Sequence, residues 1–141
     1  MDTDTILLNL KIISKIQEND RIARGYEDNT IVLDGGGIFQ WLTRTLHRDN
    51  RTKGINDIKC NVNAAIEKTK GIMNSKFFNA ALTYSDELRD LKNIQHELSN
   101  CLYGLENLKR TYIQDENATS RIDLIIHRIN SHLLLMDESS C

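Results

Sequence analysis

The densest grouping of side chains with binding chemistry lies between residues 41 and 53. Trp41, Arg44, Arg48, Arg51 and Lys53 stand there against Asp49 alone, with His47 among them. Arg44, His47, Arg48 and Arg51 follow the spacing i, i+3, i+4, i+7, so a helix running through them would array all four on one face. Guanidinium groups are planar forks that take phosphate or carboxylate oxygens in pairs. An indole beside them is the kind of aromatic enriched in interface anchors. The segment is therefore the candidate partner-binding surface, with a solvated amphipathic face as the plain alternative.

Other suggestive strings lack the context their chemistry needs. Asp2-Thr3-Asp4-Thr5 repeats the DxDxT pattern of aspartate-nucleophile phosphatases, in which the first Asp must sit at the tip of a buried parallel strand facing a metal. No strand-helix-strand pattern surrounds it, and acids at the positive end of a helix explain it better. Asp34-Gly35-Gly36-Gly37 lacks the Lys-Ser/Thr of a phosphate loop and reads as a flexible joint.

Histidines 47, 96, 127 and 132 are scattered over three expected helices. His127 and His132 are five apart and splay round a helix, so all four read as surface or helix-flank residues. Cys60, Cys101 and Cys141 form no CxxC pair and read as free thiols in a reducing compartment. Cys60 and Cys101 are expected on the core side, and Cys141 as an exposed terminal thiol. No nucleophile is paired with a base, and no carboxylates are set in contrasting environments. The expectation is accordingly no catalytic residue, no metal and no cofactor.

The elements that must carry these residues are helical. Among 141 residues there is no Pro, which breaks helix interiors. Hydrophobic residues make up 40% and charged residues 27%, an ordinary globular balance. A net charge of −2 gives the whole molecule no attraction for nucleic acid. No apolar run is long enough to span a bilayer.

Tyr84, Leu88, Leu91, Ile94, Leu98, Cys101, Leu102, Leu105, Leu108 and Tyr112 recur every three or four residues. After a polar break at 114–117, Ala118, Ile122, Ile125, Ile129, Leu133 and Met136 do the same. This periodicity predicts two long amphipathic helices folded into an antiparallel hairpin. The first starts at Phe77 or Ser85 and ends near Tyr112, with Gly104 as a weak point costing about 1 kcal/mol relative to Ala. Apolar residues on more than one of its flanks, including Phe77, Phe78, Ile94, Leu108 and Ile113, leave surface that one hairpin partner does not cover.

Upstream, residues 54–73 predict another helix, closed by Gly71 and the polar Asn74-Ser75-Lys76. Residues 38–48 predict a short one. Residues 5–17 fit a helix with Ile6, Leu10, Ile13 and Ile16 on one side, or a strand; the helix is favoured. Residues 21–34 predict a β-hairpin around Gly25 to Asn29.

The fold class is mainly α: a helical bundle with a long C-terminal antiparallel helical hairpin and a small N-terminal β-hairpin. It forms one domain over 1–141, with an N-terminal region and Gly joint at 1–37 and the bundle at 38–141.

Several stretches together resemble a family of small helical proteins encoded by nucleocytoplasmic large DNA viruses. They are Leu7 to Ile16, Ile38 to Arg44, Gly104 to Tyr112 and Arg121 to Ile126, in the same order and covering most of the chain. The resemblance implies a virion or assembly component, in the particle or the infected-cell cytoplasm. It implies no enzyme and assigns no residue a role. The sequence therefore points to a non-enzymatic structural or interaction protein that meets a protein partner or a second copy of itself. The alternative is nucleic-acid binding through the basic 44–53 segment.

Overall fold

The computed structural model describes residues 2–16, 51–78 and 85–139. The expected hairpin over 21–34, the joint at Gly35–Gly37, the helix over 38–48 and Cys141 lie outside the described residues. Within them the chain is entirely helical and turn, with no strand: α1 (Thr3–Ser14), α2 (Arg51–Phe78), α3 (Ser85–Thr111) and α4 (Glu116–Ser139).

Helix wins over strand in α1 because its first turn is capped. Asp2 lies in extended backbone and its Oδ1 accepts the Thr5 N–H at 2.7 Å. That bond favours the ionised carboxylate and holds Asp2 below the usual range. The DxDxT string is thus a helix start. Ile6, Leu10, Ile13 and Ile16 are buried as the helical reading expects, and Ile12 and Asn9 join them. That face is broad because α1 packs on both α2 and α3.

Helix α2 is longer than 54–73 at both ends. Gly71 is exposed with no atom near the place a Cβ would occupy, so its cost is the small propensity term and the helix continues to Phe78. Ile55, Ile58, Val62, Ala65, Ile66, Thr69 and Ile72 are buried along one side. Cys60 is exposed, contrary to the core-side expectation. It lies two residues from both Ile58 and Val62, about 200° round the helix from each. Cys101 is buried, its thiol donating to the Leu10 carbonyl at 3.2 Å, and burial raises its pKa.

Helices α3 and α4 form the expected antiparallel hairpin. Lys109 meets Asp123 at 2.8 Å near the turn, and Gln95 meets Asp137 at 2.9 Å towards the far end. Ile94, Leu98, Cys101, Leu105 and Leu108 are buried against Ala118, Ile122, Ile125 and Ile129. Leu102 and Leu133 are only partly buried, packed on the core's edge, and Leu91 is half-buried. At the chain reversal Asp115 Oδ1 accepts the Ala118 N–H at 3.1 Å and caps α4.

Cross-helix contacts fix the directions of the remaining pairs. Leu10 meets Cys101 and Ile16 meets Asn107 at the same sequence separation of 91, so α1 runs parallel to α3. Arg51 meets Asp115 and Thr69 meets His132 at separations of 64 and 63, so α2 runs parallel to α4. Round the bundle the order is α1, α3, α4, α2.

Gly104 sits where α1 crosses α3. A Cβ there would overlap the Ile13 carbonyl oxygen and lie 2.9 Å from its carbon. The residue expected to be a weak point is the one that lets two backbones touch.

Candidate functional site

Of the five residues expected to bind a partner, Trp41, Arg44 and Arg48 lie outside the described residues. Arg51 opens α2, and its guanidinium turns inward. Its Nη1 donates to Asp115 Oδ2 at 2.7 Å, and its Cζ lies 4.0 Å from the Tyr112 ring centroid. Asp115 thus caps α4 with one oxygen and holds Arg51 with the other, and both bonds lower its pKa. Burial pushes the Tyr112 phenol up. Arg51 ties the start of α2 to the α3–α4 turn and does not present a free cation. Lys53 is exposed, about 200° round α2 from Arg51.

A different surface gathers binding chemistry. Helices α2 and α4 run side by side and leave between them an open groove of about 580 Å³. Its floor is apolar, formed by Ile55, Ile66 and Ile125, and Leu124 and Leu135 stand along the α4 wall. Leu124 is 70% exposed and Leu135 44%; Leu134, beside the groove, is 61% exposed. The walls also carry Lys59 and Lys70 from α2 and Arg121 and Arg128 from α4, and among the described residues no acidic one lines the groove.

Hydrogen bonds to neutral acceptors hold one end of this groove. Arg121 donates through Nε to Asn117 at 3.3 Å and through Nη1 to Asn56 across the groove at 3.5 Å. Glu67 reaches Lys70 only at 4.0 Å, and both side chains are well exposed. Among the described residues no carboxylate lies within ion-pair distance of Lys59, Arg121 or Arg128.

One buried polar contact lies beneath the groove. The Thr69 hydroxyl donates to the Ile66 carbonyl at 2.8 Å, which leaves its oxygen to accept from His132 Nε2–H, 2.6 Å away. His132 is 4% exposed, so it is a core residue and not the surface histidine expected from spacing. Its position three residues from the stripe residue Ile129 was the available signal. Burial, then the charges of Lys70 and Arg128, lower its pKa, while Glu67 opposes them.

The unfolded chain takes up a proton near pH 6.5, whereas folded His132 resists until a lower pH. Stability from this group is therefore complete above about 6.5 and declines as pH falls towards the folded value. Thermal melts of the native chain are expected to lose midpoint below pH 6.5, and His132→Gln is expected to flatten that decline. An identical slope in the variant would assign the decline to other groups.

The α4 wall is partly legible in the sequence. Arg121, Leu124, Arg128, Ser131 and Leu135 recur at spacings of three and four, a second stripe beside the buried one. Mixed Arg and Leu register weakly in a hydrophobic pattern, which hides this stripe.

Among the described residues no group of three or more His, Cys, Asp or Glu is placed to hold a metal, and no helix is long and apolar enough to cross a membrane. In comparisons with family models, curated proteins and solved structures, the chain matches none.

Proposed function

We propose that the protein is a non-enzymatic structural or assembly component that works by docking a partner helix in the α2/α4 groove. The observation that carries this reading is the row of exposed leucines on α4 beside an apolar floor. Apolar side chains clustered on one wall of a concave surface suit an amphipathic helix laid into a groove. From Arg121 to Leu135 the α4 wall runs about 21 Å at roughly 1.5 Å per residue, the length of a four-turn helix. The resemblance to the viral family supports a virion or infected-cell setting, with binding and no turnover.

A second copy of the same groove is a poorer occupant. Two-fold pairing would bring the Arg121 and Arg128 walls of two copies onto one interface, and like charges at an interface suppress pairing. Nucleic-acid binding through residues 44–53 has less support, because Arg51 is held by Asp115 and Tyr112.

The test is a titration of the isotope-labelled chain with an uncharged amphipathic peptide of about four helical turns, followed by amide chemical shifts. Resonances of Leu124, Ser131 and Leu135 are expected to move. Leu124→Gln with Leu135→Gln is expected to abolish the movement while leaving helicity unchanged. Shifts elsewhere, or none, would remove the groove from the function.

A further inference from the structure

Resting on the reading of the groove as a helix-docking site, we infer that its occupant is an acidic amphipathic helix, with carboxylates on both flanks of an apolar stripe. Both walls of the groove are basic although the chain as a whole carries a net charge of −2. On the α2 wall Lys59 and Lys70 lie three helical turns apart, about 17 Å along the axis. On the α4 wall Arg121 and Arg128 lie two turns apart, about 10 Å.

A helix seated between these walls turns its apolar face to Ile55, Ile66 and Ile125. Its two flanks then meet one row of cations each. Neutral flanks would leave Lys59, Arg121 and Arg128 desolvating with no carboxylate in ion-pair distance among the described residues, and basic flanks would add repulsion.

The cations are available for this role. Arg121 is oriented by Asn117 and Asn56, which fix the guanidinium without neutralising it. Amide oxygens take two of its five donors and leave the other three for a carboxylate from outside.

A nucleic acid is the other anionic occupant to weigh. Phosphates would have to lie over Leu124 and Leu135, burying apolar surface against charge. Among the described residues no Trp, Tyr or Phe lines the groove to stack a base, which is the usual platform for single strands.

The deciding experiment uses three labelled peptides with one apolar stripe and flanks of Glu, Gln or Lys, together with a labelled single-stranded oligonucleotide. Fluorescence anisotropy is read on the full chain at low salt and near 0.5 M salt. The Glu peptide is expected to bind at least about tenfold tighter than the Gln peptide at low salt, with the gap shrinking at high salt. Arg121→Gln with Arg128→Gln is expected to bring the Glu peptide down to the affinity of the Gln peptide.

Equal binding of the Glu and Gln peptides would overturn the acidic preference and leave the docking groove standing. No binding by any peptide would overturn both. Oligonucleotide binding that matches the Glu peptide and is lost in the double variant would make nucleic acid the occupant.

Discussion

Gly104→Ala is expected to destabilise the protein by about 2–3 kcal/mol, although helix propensity alone favours Ala by about 1 kcal/mol. The reason is the crossing of α1 over α3. A Cβ on residue 104 would run into the Ile13 carbonyl and lie 3.2 Å from the Ser14 Cα. These are backbone atoms, so no rotamer change relieves the overlap. Nor is α1 free to lift. Its end is tied to α3 by Asn107 Nδ2 donating to the Ile16 carbonyl at 3.0 Å, and higher up by Cys101 and the Leu10 carbonyl.

Gly71→Ala supplies the matching control. That glycine is exposed on α2 with open space around the position of a Cβ. The same substitution there is expected to stabilise by about 1 kcal/mol. Urea unfolding of the two variants should therefore move in opposite directions. A gain at Gly104 would mean that α1 does not pack at this distance.

The contrast between these glycines shows where the sequence was readable. Spacing of three and four located the buried faces of α1, α2, α3 and α4, because each of those faces is built from large aliphatic residues. Ile6, Leu10 and Ile13, or Ile122, Ile125 and Ile129, can be picked out by period alone. Period does not say what covers a face. Nothing local to Gly104 announces that α1 will cross it, since the two segments lie 91 residues apart.

The same limit explains the misreadings at His132 and Cys60. His132 is polar and its type points to the surface, yet Thr69 on another helix accepts its hydrogen bond and offsets the cost of burial. Cys60 is expected on the core side, but its position is across the helix from Ile58 and Val62 and it is exposed. Arg51 was read with its neighbours in sequence, whereas its partners Tyr112 and Asp115 arrive with the α3–α4 turn. The groove escaped for a related reason. Its walls come from α2 and α4, and only their side-by-side parallel packing puts Lys59 and Lys70 opposite Arg121 and Arg128.

Leu98→Ala is expected to cost about 2–5 kcal/mol, in the upper part of that range. Leu98 is fully buried in the middle of α3, among the largest side chains of the core. Removing it deletes several methyl and methylene groups and leaves a cavity whose cost depends on how far the surroundings can close. Here they are pinned at several heights. Asn9 donates to Asn61 at 2.7 Å between α1 and α2, Thr69 meets His132 between α2 and α4, and Lys109 meets Asp123 between α3 and α4. Polar contacts of this kind lose their geometry if a helix slides inwards, so collapse into the void is opposed. Leu102→Ala, one turn further on and only partly buried, is expected to cost less, and Tyr103→Ala, at an exposed position, close to nothing. Denaturant midpoints with an unchanged slope would report the three costs on one scale. A loss under about half a kilocalorie at Leu98 would place the buried stripe of α3 on a different face.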